Sequence, residues 1–195
     1  MDKIPLIPVN EGLTVTLWYE GPTFLIADKP AGMATHPADA TGSGTLVNAL
    51  LQSNRWLAEM ETSITPGLIH QLRDQDRGLT LVAKSDEMAT TLRNTYHEQS
   101  ITFSYRVRMP NDISPREIDS VTVYDRHEYD DITVYDIDST LGDTGELSQE
   151  WLGDRETSAS FVCYQMDVPT TSKRFRIGLA QRIILPEIDL YTAPT

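Results

Sequence analysis

Short apolar runs rich in β-branched and aromatic residues recur along this chain, broken by clusters of Gly, Pro, Asp and Asn. "LTVTLWYE" (13–20) and "TFLIADKP" (23–30) flank Gly21-Pro22, which predicts a hairpin. "LTLVAK" (79–84), "ITFSYRVRM" (101–109), "SVTVY" (120–124), "DITVYDI" (131–137), "SASFVCYQM" (158–166), "KRFRIGL" (173–179) and "RIILPEIDLY" (182–191) read as further strands. Helical spacing is clear in two stretches. In "TLVNALLQSNRWL", Leu46, Ala49 and Leu50 recur behind Thr45, a capping residue. In "DEMATTLRNTYHEQS", Met88, Leu92 and Tyr96 lie four apart behind a capping Ser85, with Asp86 and Glu87 where the helix dipole favours acids. Many strands with two helices predict an α+β domain on a mixed, mostly antiparallel central sheet with few flanking helices.

A length of 195 residues suits one well-buried domain over 1–195, with 1–12 as an N-terminal extension too short for an added RNA-binding domain. No run approaches the ~18 apolar residues of a membrane span. "MDKIPLIPVNEG" lacks the charged-then-apolar layout of a secretory signal. The single cysteine, Cys163, lies in an alternating apolar run and reads as a buried thiol, so no internal disulfide framework is expected. These features predict a cytoplasmic protein, and a monomer is expected.

The net charge of −13 is concentrated in one place. Residues 111–156 hold fourteen Asp/Glu against three Lys/Arg, a net of −11. This segment is expected to form a solvated, acidic strand and loop region. Such a face also repels phosphates and disfavours nonspecific binding of nucleic acid.

Chemistry-bearing patterns are sparse. His36, His70, His97 and His127 are scattered, without metal-ligand spacing. "TGSG" (41–44) is a weak signal for phosphate binding, and no Ser sits on a nucleophile elbow, although a Ser–His–Asp triad stays open. What remains is the polar loop 70–78, with His70, Arg73, Asp74, Asp76 and Arg77. Loops of mixed charge are commonly solvated ion pairs of little energetic weight.

Taken in order, the segments resemble the RluA-type RNA pseudouridine synthase family. "LWYEGPTFLIADKPAGMATHP" is similar to that family's opening, with Glu20, Lys29, Pro30, Gly32, His36 and Pro37 at its marked positions. "GLIHQLRDQDRGLTLVAKS" resembles the signature loop His-Arg-Leu-Asp-x-x-Thr-Ser-Gly-Leu, with His70, Leu72, Gly78, Leu79, Ala83 and Lys84 in register. "ITFSYRVRM" is similar to the Lys-x-Tyr strand, with Tyr105 at the tyrosine, and the later strand pair puts Arg176 at a recurring arginine. "RIILPEIDLYTAP" is similar to the C-terminal strand.

The resemblance implies the pseudouridine synthase fold and isomerisation of uridine to pseudouridine in ribosomal or transfer RNA, with no cofactor and no metal. It implies a catalytic set of a carboxylate, an aromatic and a cation, carried here by position 73, Tyr105 and Arg176. Position 73, however, is Arg73. An arginine stays protonated and cannot act as nucleophile or base. Gln71, Asp76-Arg77, Phe103 and Gly178 also depart from the pattern. Two readings follow. Asp74 supplies the carboxylate by a one-residue shift, or catalysis is impaired or lost and the fold serves as a non-catalytic module that binds RNA or a protein partner.

Overall fold

A computed structural model of the chain describes residues 12–39, 42–61, 65–169 and 174–178. The predicted strand at 182–191 and the segment 1–11 lie outside them. Gly21 and its neighbours turn β1 (Thr16–Glu20) into β2 (Phe24–Lys29), as the Gly-Pro break predicts. Thr45 caps α1 (Leu46–Ser53) through a reciprocal box with Asn48, and a 3₁₀ turn (Arg55–Glu59) follows. Next come β3 (Arg77–Ala83) and α2 (Asp86–His97), the latter capped by Ser85 with Asp86 and Glu87 in its first turn. The second half holds β4 (Thr102–Pro110), β5 (Val121–Glu128), β6 (Ile132–Ser139), α3 (Thr144–Leu147) with a π turn (Ser148–Leu152), β7 (Ser160–Pro169) and β8 (Arg174–Gly178).

The strands form one sheet in the order β1-β2-β3-β7-β4-β6-β5, with β8 also against β7. Every pairing is antiparallel except β3 with β7. That parallel junction is short: Arg77 faces Val162 and Gly78 faces Cys163. Gly78 has φ +122°, and a side chain there would collide with the Cys163 backbone. Only glycine lets the two strands approach this closely. Beyond the junction β8 takes over the same edge of β7, pairing Asp167 with Arg176.

The sheet and two helices enclose one apolar core, and β2 and β3 are buried on both faces. Ile26, Leu79, Leu81, Phe103, Tyr105, Phe161 and Met166 meet Leu46 and Leu50 of α1 and Leu92 of α2 there. A bulge at Tyr164 resets the alternation of β7, so that Phe161, Cys163, Met166 and Val168 all stay buried.

The acidic segment 111–156 divides in two. β5 is exposed, in line with expectation, but β6 is largely buried through Val134, Tyr135 and Ile137, and 144–152 are helical and include buried Leu147 and Trp151. Asp143 accepts from the N–H groups of Gly145 and Glu146, and the Trp151 ring packs edge-on against Tyr135. Acidic composition thus conceals an apolar stripe at i, i+4 behind an N-cap.

Candidate functional site

Loop 70–78 leads into β3 at the β3–β7 junction, and its His70, Arg73 and Asp76 side chains are turned inward while Asp74 and Gln75 are exposed. His70 is buried and bridges two backbones. Its Nδ1 donates to the Gly142 carbonyl at 2.8 Å, while its Nε2 accepts from the Leu81 N–H at 3.0 Å. These partners fix one neutral tautomer. Burial lowers its pKa to about 4, despite the opposing Gly142 carbonyl and Asp143.

Arg73 lies almost wholly inside. Its Nε donates to Asp76 Oδ2 at 2.7 Å and its Nη2 to Asp76 Oδ1 at 3.2 Å, a bidentate pair with side-chain exposures of 9% and 0%. The remaining donors reach the carbonyls of Ala159 at 2.7 Å and Arg155 at 3.0 Å. The guanidinium also sits 5.2 Å from the centroid of the Phe161 ring. Asp76 is filled in turn, because Oδ1 also accepts from the Phe161 N–H at 2.8 Å. Each buried charge has its counter-charge and its hydrogen bonds, the condition under which such a pair is tolerated.

A second buried cation lies close by. Lys29 is fully enclosed, and its ammonium donates to the carbonyls of Pro30, Met33 and Asp74. Burial lowers its pKa to about 8, against the pull of Asp76, Asp74 and Asp28. The Asp74 carbonyl also accepts from the Gly32 N–H at 2.7 Å, which ties the loop to the Lys-Pro-x-Gly turn.

Tyr105 is completely buried in β4. Its hydroxyl donates towards the carbonyls of Leu141 and Gly142, both at 3.1 Å, and its ring meets Phe161 edge-on at 5.9 Å. Burial, reinforced by Cys163, holds its phenol well above the usual value. Its ring face is therefore spent on the core.

Of the four residues singled out from the sequence, the structure brings Arg73 beside Tyr105 and also onto the groove that Asp74 lines. Arg73 and Tyr105 share the Phe161 ring. The Asp74 side chain is exposed and lines a groove of about 730 Å³ with His36, Gln71, Asp143, Arg155 and Glu156. Arg176 is separated from the others. Phe175 and Ile177 pack on the core, so strand alternation turns Arg176 to the opposite face, with a 69% exposed side chain paired to Asp167 at 3.1 Å. Its partner is six residues beyond Phe161 on β7, roughly 20 Å along the strand. The expected single cleft around residue 73, Tyr105 and Arg176 is not formed by the described residues. The reason is this alternation.

The sequence placed Asp76 in the charged loop and at a departure from the family pattern, but gave no sign of its pairing with Arg73, of Phe161 or of the 141–144 turn. The Arg73 backbone N–H donates to Thr144 Oγ1 at 2.8 Å, and Gln71 Nε2 donates to Asp143 Oδ2 at 3.1 Å. Asp143-x-x-Glu146 before Leu147 is the signal that would have exposed this helix start. Among the described residues, no helix is long and apolar enough to cross a membrane.

Comparison with known proteins bears on this site. The model of the family described as RNA pseudouridylate synthase matches residues 23–162. An uncharacterized RNA pseudouridine synthase of Bacillus subtilis is 33% identical over 95 residues, covering 49% of this chain and 31% of the relative. The ribosomal large subunit pseudouridine synthase D of Neisseria meningitidis is 32% identical over 107 residues, covering 55% and 28%. The chain thus spans about a third of the length of these relatives. Among solved structures, the human RNA pseudouridylate synthase domain containing 4 superposes with a TM-score of 0.55 over 83% of this chain and 87% of that one, at 12% identity. Human RNA pseudouridylate synthase domain containing 1 gives 0.56 over 85% and 82%, at 13% identity.

Proposed function

The chain belongs to the RluA-type family of RNA pseudouridylate synthases, and from that premise we propose that it is a non-catalytic member, retaining the fold without the isomerisation of uridine in RNA. One observation carries this reading. Arg73, in register with the family's carboxylate, is clamped to buried Asp76 and to backbone carbonyls of 155–159. The reaction needs an ionised carboxylate free to reach the sugar or the ring. Asp76 is the carboxylate nearest to hand, and it is fully enclosed and fully bonded. Tyr105 offers no open face to a flipped base.

Asp74 supports the rival reading, since it is exposed at the groove. Against it, the aromatic expected beside the carboxylate is buried and Arg176 is on the other face of the sheet. The acidic balance also opposes contacts with phosphates, which favours a protein over RNA as the partner, in a cytoplasmic setting.

Tritium release from [5-³H]uridine-labelled ribosomal and transfer RNA tests the proposal. No release above the protein-free rate is expected. Release that disappears in Asp74→Asn would establish the divergent enzyme instead. Gel shifts across a salt series separate the partners: RNA binding that weakens steeply with salt would overturn the preference for a protein.

A further inference from the structure

The edge of the sheet farthest from β1 is formed by β5, which has β6 on one side and no strand on the other among the described residues. After its first residue every position of β5 is exposed. Val123, Tyr124 and Tyr129, at 47%, 66% and 40% exposure, are the large apolar or aromatic side chains left open among the described residues. All three lie on this strand or the turn after it. Tyr124 is not loose: its hydroxyl donates to Asp138 Oδ2 at 2.9 Å, and a register irregularity between Val123 and Asp125 displaces it from the regular ladder. A tethered tyrosine on an open edge is a rigid anchor of the kind that dominates interface energetics.

The charge around this edge is predominantly acidic, although Asp125 also holds the His127 ring at 2.9 Å. Asp125, Glu128, Asp130 and Asp131 accompany β5 and its turn, and Arg126 is already paired with Glu128 at 3.1 Å. Open edges invite pairing with other chains, and charge is one means of restricting it. Negative charge alone restricts selectively. It repels a second copy of this chain, whose own edge is acidic, and it attracts a strand of the opposite sign.

We infer that the β5 edge is a docking site for an extended, lysine- or arginine-bearing segment of another protein, added as a further strand and anchored by Val123 and Tyr124. β6 and β4 stand between this edge and β7, so the inference is independent of whether residue 73 permits catalysis.

The test uses the full chain, ¹⁵N-labelled, with three probes: a capped peptide of alternating Lys and Val, its Glu-for-Lys counterpart, and single-stranded oligouridine. The basic peptide is expected to bind and to protect the amides of 121–128 from hydrogen exchange. Tyr124→Ala combined with Asp125→Lys and Glu128→Lys should weaken binding at least tenfold while leaving the core amides protected. The acidic peptide should not bind. Four results would overturn the inference: no binding, binding untouched by the triple substitution, protection at residues 71–75 in place of β5, or equal protection of β5 by oligouridine. A concentration-dependent dimer through β5 without peptide would assign the edge to a second copy instead.

Discussion

Loop 70–78 and the β5–β6 hairpin are both crowded with charge, yet they spend it in opposite ways. In the loop, Arg73, Asp76 and the adjacent Lys29 are enclosed and matched donor to acceptor. In the hairpin, Arg126, Glu128, Asp125 and His127 pair at side-chain exposures above 50%. Counter-charges in solvent contribute little, because water and salt compete for each partner. The same groups withdrawn from water become strongly coupled, and losing one strands the other. A loop that resembles a catalytic signature thus encloses its Arg73–Asp76 pair, while the plainer hairpin leaves its pairs in solvent.

The sharpest way to break this contrast is to unpair the loop. Arg73→Ala and Asp76→Ala should each lose about 3–5 kcal/mol in urea unfolding, with the double substitution losing much less than the sum. Equal and additive losses below 1 kcal/mol would show the pair to be solvated after all. A smaller effect comes from pH. Folded His70 titrates at about 4 and an unfolded imidazole near 6.5, so between these values the unfolded state binds the extra proton. Stability is fully present above pH 6.5 and should fall by about 3 kcal/mol as pH drops to 4. That part of the slope should vanish in His70→Gln, as read by unfolding at several pH values. Arg106 and Asp136, bidentate and half-buried at 21% and 17% exposure, stand between the two regions. A double-mutant cycle there should give about 1 kcal/mol of coupling. The least effect is expected at the hairpin tip, where Arg126→Ala and Glu128→Ala should leave the thermal midpoint unchanged at low and high salt.

What could be read in advance followed from local chemistry. Thr45 and Ser85 announce their helices because a hydroxyl before an apolar period satisfies orphan N–H groups, and both do so here. The strands at 102–110 and 132–139 follow from alternation. The family emerged from collinear motifs, and its model matches residues 23–162. What could not be read was the destination of side chains. The carbonyls that hold Arg73 come from residues more than eighty positions downstream, and no spacing encodes them. Arg176 was assigned by motif, but whether it faces Tyr105 depends on a register set by a bulge in a neighbouring strand. The helix at 144–147 was hidden by the acids around it.

The two-residue contact at Gly78 carries a mechanical consequence. Among the described residues, through it alone β3 is hydrogen-bonded to the strands that follow in the sheet, which makes it a seam between an N-terminal and a C-terminal half. Arg73 and Asp76 bind the loop entering β3 to residues 155–161 leading into β7, across that same line. Arg73 is therefore a rivet. With it gone the halves still share the core and the His70–Gly142 bond, so amides of 71–78 and 155–161 should open locally ahead of global unfolding.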